Sequence, residues 1–177
     1  MYENVARSVT PRPLYTPEER VRRDATRWTI VQGVLAPVQF LALIVSVILV
    51  VRFLQTGEGE TAATISIVIK TMLLYAIMIT GCIWEKVVFG CYLFAPSFFW
   101  EDMFSMMVLA LHTTYLVALY TGNMPVHDQM ILALVAYFTY AINAGQFLLK
   151  LRAARLQQPT TPRQAEHSPL STQGAHA

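Results

Sequence analysis

Charged residues are scarce in this chain. Only 14% of its 177 residues are Asp, Glu, Lys or Arg, whereas 55% are hydrophobic, and the mean hydropathy is +0.45. A soluble domain averages about 25% charged residues, so this composition excludes an ordinary soluble domain. Several apolar runs reach about 20 residues, the length that crosses the ~30 Å hydrocarbon core of a bilayer. The sequence therefore predicts an all-α integral membrane protein.

The signatures of nucleotide, zinc and nucleic-acid sites are also missing. The chain has no phosphate-binding glycine loop, no HExxH metal motif and no nucleophile elbow. Its two cysteines, Cys82 and Cys91, have the spacing of no zinc or redox motif, and its few basic residues lie mostly near the termini. We therefore expect no protein-bound metal and no nucleic-acid partner, and we assign the cysteines no role.

Four apolar segments predict a bundle of four transmembrane helices. They cover residues 28–54, 62–83, 100–120 and 129–149. Before them, Thr16 and Glu19 have the spacing of a capping box around Pro17, which predicts a short helix at the membrane surface. We expect three parts: an N-terminal tail with that surface helix (1–27, loose over 1–15), the four-helix domain (28–156) and a disordered tail (157–177).

Basic residues favour one side of the predicted bundle. The segment before the first span holds six arginines, and the C-terminal segment holds Lys150, Arg152, Arg155 and Arg163. The loops expected on the opposite side offer only Arg52. An excess of Lys and Arg marks the cytoplasmic side, so we expect both termini, and the connection over residues 84–102, in the cytoplasm.

Polar residues within the spans follow helical spacing. Gln32, Gln39 and Ser46 recur every seven residues, which places them on one face of the first span. A polar face in an apolar helix points toward other helices or a cavity, so we expect these residues to face and pair with the bundle. Another face, on the fourth span, holds Thr139, Asn143, Gln146 and Lys150. The second span contains Lys70, well below its start.

The other ionisable residues gather around the aromatic connection between the second and third spans. Glu85 and Lys86 precede it, and Glu101 and Asp102 follow it. Glu101, Ser105, Val108, His112 and Tyr115 fall on one helix face. A carboxyl group in low dielectric can hold and donate a proton, and a neutral imidazole can orient water or bind magnesium. A purely structural alternative pairs Lys86 with Glu85 or Asp102 and lets His112 hydrogen-bond a neighbouring helix.

Four long stretches resemble a known family. They are LYTPEERVRRDATRWTIVQGVLAPVQFL, ISIVIKTMLLYAIMITGCIWEKVVFG, YLFAPSFFWEDMFSMMVLALHTTYL and INAGQFLLKLRAARL, and they cover most of residues 14–156. The chain resembles the 3-vinyl bacteriochlorophyllide hydratases, also called chlorophyllide a 3¹-hydratases, of bacteriochlorophyll biosynthesis. Cys82 and Cys91 are the departures from the family pattern, and neither removes an acid or the histidine.

The resemblance implies a lyase that hydrates the C3 vinyl group of a chlorin to a 3-(1-hydroxyethyl) group. Its partners would be a chlorophyllide-type macrocycle, water, membrane lipid and other enzymes of bacteriochlorophyll biosynthesis. It would lie in the bacterial inner membrane, cytoplasmic or intracytoplasmic, as a multi-pass protein. It would need no cofactor, since magnesium arrives as part of the substrate.

The residues then take roles in that reaction as hypotheses. Glu101, Glu85 and Asp102 are candidates for the proton donor, with Glu101 favoured if Lys86 keeps Glu85 ionised, and His112 orients the water or contacts the pigment. The candidate substrate-binding residues are Lys86, Trp84, Trp100, Tyr115, Asn143 and Gln146. One alternative function is a non-catalytic chlorin-binding carrier or assembly factor of the photosynthetic membrane. Another is a small transporter with Lys70 and the acids as a relay, but four helices without inverted repeats argue against it.

Overall fold

The computed structural model describes residues 14–156 and is helical throughout apart from the turns. Its elements are α1 (Pro17–Ala25), α2 (Arg27–Thr56), α3 (Glu60–Phe89), α4 (Phe99–Thr121) and α5 (Val126–Leu156). Helices α2 to α5 are long and apolar enough to cross a membrane, so the all-α class and the four spans are confirmed. The orientation of the termini stays a prediction, and the tails 1–13 and 157–177 lie outside the described residues.

The start of α1 follows the predicted capping box. The Glu19 backbone N–H donates to the Thr16 hydroxyl (3.2 Å), and the Thr16 N–H donates to the Glu19 carboxylate (2.8 Å). The Arg22 side chain then donates to the carbonyl of Val88 (2.8 Å), which holds α1 against the end of α3. This arginine therefore uses a protein partner in addition to any lipid headgroup.

The segment before α1 is packed, so the prediction of a loose tail over residues 1–15 is wrong at its last two residues. Tyr15 is buried, and its ring stacks on Phe89 at a centroid distance of 5.7 Å. The carbonyl of Leu14 accepts a hydrogen bond from the Ser97 hydroxyl (2.9 Å). Burial of one aromatic ring is enough to hold this segment against the bundle, although its sequence has no periodic apolar pattern.

Helix α3 continues six residues beyond its predicted end at Ile83. No glycine or proline lies between Ile83 and Gly90. Gly90 ends the helix in the left-handed conformation (φ 85°), and its N–H donates to the Lys86 carbonyl (3.1 Å). Trp84 and Glu85 therefore lie on the helix itself, and the connection to α4 is reduced to residues 90–98. This extension brings the Glu85 carboxyl group up to the start of α4.

Hydrogen bonds between side chains align the helices in antiparallel pairs. Gln32 on α2 donates to Thr80 on α3 (2.7 Å), and Ser46 bonds both Ser66 on α3 (2.8 Å) and Tyr137 on α5 (2.6 Å). The polar stripe of α2 thus faces the bundle, as predicted. Gln39 is also fully buried, but its amide has no hydrogen-bond partner among the described residues, so the expected pairing fails there.

Apolar side chains complete the bundle inside and outside. One buried cluster joins α2, α3, α4 and α5 and contains Leu43, Val50, Ile67, Tyr115, Met130 and Tyr137. Large apolar side chains also cover the outside, such as Ile48 and Phe138. In a membrane-spanning protein such a surface contacts lipid, so its exposure carries no penalty.

Candidate active site

Two carboxyl groups meet where α3 ends and α4 begins. Glu85 and Asp102 are 6% and 4% exposed, and they accept hydrogen bonds from two consecutive residues of the α3–α4 turn. The backbone N–H of Phe94 donates to Asp102 (2.8 Å), and that of Ala95 donates to Glu85 (3.4 Å). Two adjacent carboxylates repel each other, so such a pair tends to share one proton. The arrangement is suited to supplying a proton from a buried position.

The turn that donates these N–H groups has an unusual backbone. Within residues 14–156, Phe94 is the one residue other than glycine with a positive φ, 59°. The left-handed conformation costs such a residue on the order of 1 kcal/mol. The hydrogen bond from its N–H to the Asp102 carboxylate offsets part of that cost. The turn therefore holds the carboxyl pair in place at some expense to local stability.

A third acid, Glu101, has a cation as its partner. The Lys150 ammonium on α5 lies 2.6 Å from the Glu101 carboxylate, with the two side chains 27% and 10% exposed. We refer to Glu85, Glu101, Asp102 and Lys150 as the acid cluster. Lys86, by contrast, is exposed and donates to the carbonyl of Gly90 (2.8 Å). The predicted pairing of Lys86 with Glu85 or Asp102 is therefore wrong, because the lysine is drawn to the end of its own helix.

Acceptor groups without protein partners lie next to the acid cluster. The Asn143 amide donates to the Ser105 hydroxyl (2.8 Å), and Ser105 lies three residues after Asp102 on α4, about 4.5 Å of helix rise. The side-chain oxygens of Asn143 and Gln146 are buried and have no hydrogen-bond partner among the described residues. Two open acceptors beside an acid can hold a water molecule.

A second polar region lies deeper in the bundle. It consists of Gln39, Lys70 and His112, from α2, α3 and α4, which we call the polar layer. All three are buried, and within the described part of the chain Gln39, the Lys70 ammonium and His112 Nε2 have no hydrogen-bond partner. His112 Nδ1 lies 2.8 Å from the Val108 carbonyl and so carries the proton, which leaves a free lone pair on Nε2. His112 lies ten residues from Asp102, about 15 Å along the helix.

Comparison with known proteins gives this bundle a family. A sequence model of 2-vinyl bacteriochlorophyllide hydratase matches residues 15–153. The chain belongs to this family. We read the 2-vinyl group of that name as the substituent called the C3 vinyl group above, under another numbering of the ring. The resemblance noted in the sequence is therefore confirmed.

Two curated members of the hydratase family are highly similar to the chain. A 2-vinyl bacteriochlorophyllide hydratase of Rhodobacter capsulatus is 68% identical over 154 residues, which cover 87% of this chain and 90% of that protein. One of Cereibacter sphaeroides is 68% identical over 145 residues, covering 82% and 90% respectively. No solved structure matches the chain.

The remaining predicted site residues of this hydratase-family chain are spread over its length. Trp84 donates its indole N–H to Thr29 (2.9 Å) and packs edge-on against Phe89 and Phe98, in an aromatic cluster. Trp100 is 70% exposed beside the acid cluster. Tyr115 belongs to the apolar core and lies fourteen residues from Glu101, about 21 Å along the helix. Trp84 and Tyr115 are thus held by the protein's own packing.

The functional features that the sequence interpretation missed are contacts between helices. The Lys150–Glu101 pair joins residues 49 positions apart, and the N–H donors of Phe94 and Ala95 depend on the shape of one turn. The Lys150–Glu101 pair could have been found from the order of the helices. The turn between the third and fourth spans makes those helices antiparallel, and counting outward from it places Lys150 near the level of Glu101.

Proposed function

We propose that this protein is a hydro-lyase that hydrates the vinyl group of chlorophyllide or bacteriochlorophyllide to a 3-(1-hydroxyethyl) group during bacteriochlorophyll synthesis. The family membership and the two relatives at 68% identity support the reaction. The observation that carries the mechanism is the buried Glu85–Asp102 pair. It would supply a proton in an apolar bundle that also offers open acceptors for water.

The reaction needs an acid, a water molecule and a way to delocalise positive charge. A proton adds to the terminal vinyl carbon, and the adjacent carbon, conjugated with the macrocycle, carries the resulting positive charge. Water forms a C–O bond at that carbon and then releases a proton, which restores the acid. The net change is the addition of one water molecule, so neither oxidant nor reductant is consumed and no cofactor is required.

The Glu85–Asp102 pair is our candidate proton donor, in preference to Glu101. The Glu101 carboxylate is already engaged by the Lys150 ammonium at 2.6 Å, in a charge-assisted hydrogen bond. Among the described residues, neither Glu85 nor Asp102 has a cation within ion-pair distance, so the pair would retain a proton to give. The ionised Glu101 would instead stabilise positive charge as it develops on the substrate. All three acids keep a proposed role, but the favoured proton donor is now the Glu85–Asp102 pair and no longer Glu101.

The remaining polar groups would position the two reactants. Asn143 and Gln146 have the open oxygens that a water beside the vinyl group would need. His112 would contact the pigment, since its Nε2 lone pair is a ligand for the magnesium that the chlorin carries. Trp100, exposed next to the acids, would offer a flat surface for the macrocycle, and Lys86 would lie at the same edge.

The distribution of charge supports a proposed placement in the membrane. Arginine and lysine gather toward the two termini and the α3–α4 connection, and we propose that these face the cytoplasm, in the bacterial inner membrane. The acid cluster would then open toward the side where the other biosynthetic enzymes deliver pigment. Reporter fusions after Gly59 and Asn123 should read periplasmic, and fusions after Gly90 cytoplasmic. A cytoplasmic reading at Gly59 would overturn this topology.

Isotope transfer from water tests the activity itself. The purified protein, reconstituted in lipid, is given a 3-vinyl chlorophyllide in ¹⁸O-labelled water, and the pigment is analysed by mass spectrometry. We expect a product heavier by one water molecule, with the label in the new hydroxyl group. Pigment that binds but returns unchanged would contradict the hydratase and favour the carrier alternative.

A further inference from the structure

Lys70 is a buried lysine for which the described part of the chain supplies no anionic partner. It is fully buried in α3, and its ammonium makes no hydrogen bond to any described residue. The ion pairs found in residues 14–153 are Arg23–Asp24, His127–Asp128 and Lys150–Glu101, and none includes Lys70. The nearest compensation is the ring of Tyr140, whose centroid lies 3.8 Å from the ammonium.

Such a position is costly unless something completes it. An isolated ammonium loses its hydration on burial, and a cation–π contact offsets only part of that loss. Lysines near the ends of membrane helices can reach water along their own side chains. Lys70 does not, because its side chain is fully buried against Tyr140. An ionisable residue kept at such a depth points to a ligand.

The groups around Lys70 are suited to an anion that carries a hydrogen-bond acceptor. Two hydrogen bonds set the register of α2 against α3: Gln32 bonds Thr80, and Ser46 bonds Ser66. Gln39 lies midway between Gln32 and Ser46, so it is level with residue 73 of α3. Residue 73 is about 4.5 Å of helix rise from Lys70. Its amide N–H groups are unpaired donors. An ammonium and an amide together form a site for a carboxylate.

We propose that Lys70, with Gln39, binds the free carboxylate of the pigment, and that this contact makes the enzyme select the acid over its ester. This inference rests on the proposed function. A chlorophyllide is by definition the form of the pigment whose side-chain acid is not esterified with a long alcohol. It therefore brings a carboxylate, attached to a flat apolar body, into the interior of a membrane protein.

The distance between Lys70 and the acid cluster agrees with one pigment touching both. Tyr140, beneath the Lys70 ammonium, lies three residues from Asn143, which bonds Ser105, itself three residues from Asp102. These two steps amount to about 9 Å along the helix axes. A tetrapyrrole with a vinyl group on one ring and an acid on a short chain of another ring spans a distance of the same order.

Substrate selectivity tests the proposal. The hydration kinetics of a 3-vinyl chlorophyllide and of its methyl ester are compared for the full-length wild type and Lys70→Met in the same lipid. We expect the wild-type KM for the ester to be about tenfold to a hundredfold higher, since the ester loses a charge-assisted hydrogen bond. Lys70→Met should raise the KM for the acid to the level of the ester and leave the ester's kinetics unchanged.

A structural role for Lys70 would give a different pattern, lowering activity on acid and ester alike. Arg52→Met, at an exposed arginine at the end of α2, is the matched loss of a cation and should keep the wild-type selectivity. Lys70→Arg should restore part of it. Equal wild-type KM values for acid and ester, or a Lys70→Met variant that still prefers the acid, would overturn the proposal.

A small inorganic anion at Lys70 is the competing occupant. Thermal unfolding of the pigment-free protein is followed while chloride replaces gluconate at constant ionic strength. We expect no chloride-dependent change in Tm. Stabilisation by chloride that disappears in Lys70→Met, together with equal KM values for acid and ester, would assign the site to chloride and overturn the proposal. If the wild type hydrates neither acid nor ester, it is the proposed function that fails.

Discussion

The acid cluster and the polar layer are both polar groups buried in an apolar bundle, but they differ in what completes them. In the acid cluster each carboxyl group has a protein partner: Lys150 for Glu101, and backbone N–H groups for Asp102 and Glu85. In the polar layer, Gln39, Lys70 and His112 keep polar atoms that no described residue satisfies. A buried polar atom without a partner costs about 1–3 kcal/mol.

This difference separates two tasks. Groups that the protein itself holds in place are pre-organised, which is what a reacting centre requires. Groups left open in the interior reduce the stability of the empty protein and gain their partners only when a ligand arrives. We infer that the acid cluster serves the chemical step and the polar layer serves the binding of the pigment. Each prediction below tests this division.

Loss of the shared proton should have the largest effect. Glu85→Gln and Asp102→Asn keep the size of the side chain but cannot donate an acidic proton, so each should lower kcat by about 10²–10⁴. Glu101→Gln should lower it less, because the Glu101 carboxylate is engaged by the Lys150 ammonium and is not the proposed donor. Hydration is measured at equal amounts of folded protein in lipid. A loss that is greatest for Glu101→Gln would return the donor role to that residue.

Breaking the ion pair of the acid cluster should have the next largest effect. Lys150→Met leaves the Glu101 carboxylate buried without a cation, and we expect it to lower the free energy of unfolding by about 2 kcal/mol. Glu101→Gln added to Lys150→Met should restore most of this loss. Unfolding is measured by titration with a denaturing detergent, with the exposed Lys86→Met as the control for losing a lysine. No rescue in the double variant would show that the pair is not coupled.

Two positions on one face of α2 give the smallest and most direct contrast. Ser46→Ala removes hydrogen bonds to Ser66 and Tyr137 and should lower the free energy of unfolding by about 1 kcal/mol. Gln39→Leu removes an amide that has no partner within residues 14–153, so the pigment-free protein should be as stable as the wild type or more so. If Gln39→Leu is the more damaging of the two, Gln39 has a partner in the empty protein.

Local patterns predicted much of this molecule. The capping box at Thr16 and Glu19 and the buried face from Glu101 to Tyr115 depend on spacing within one helix, and the structure has both. The predicted end of α3 at Ile83 was wrong, because no helix-breaking residue follows Ile83 and the helix continues. Gly90 marks the observed end.

Contacts between helices were beyond such patterns. Whether Lys86 or Lys150 pairs with an acid depends on how α3, α4 and α5 are rotated relative to each other. A single sequence does not show this rotation. The sequence favours Lys86, the lysine nearer to the acids along the chain. In the structure Lys86 bonds the Gly90 carbonyl, and it is Lys150 that pairs with Glu101. The lack of a partner for the Gln39 amide is unpredictable for the same reason. Spacing within α2 shows that Gln39 faces the bundle but not which group of a neighbouring helix lies opposite it.

The division of labour between the two regions is tested most directly by steady-state kinetics of Glu85→Gln and Lys70→Met on the same 3-vinyl chlorophyllide in the same lipid. The account predicts that Glu85→Gln lowers kcat by about 10²–10⁴ with KM near the wild-type value. It predicts that Lys70→Met raises KM about tenfold or more and keeps most of kcat. A Glu85→Gln variant that changes only KM, or a Lys70→Met variant that loses only kcat, would contradict it.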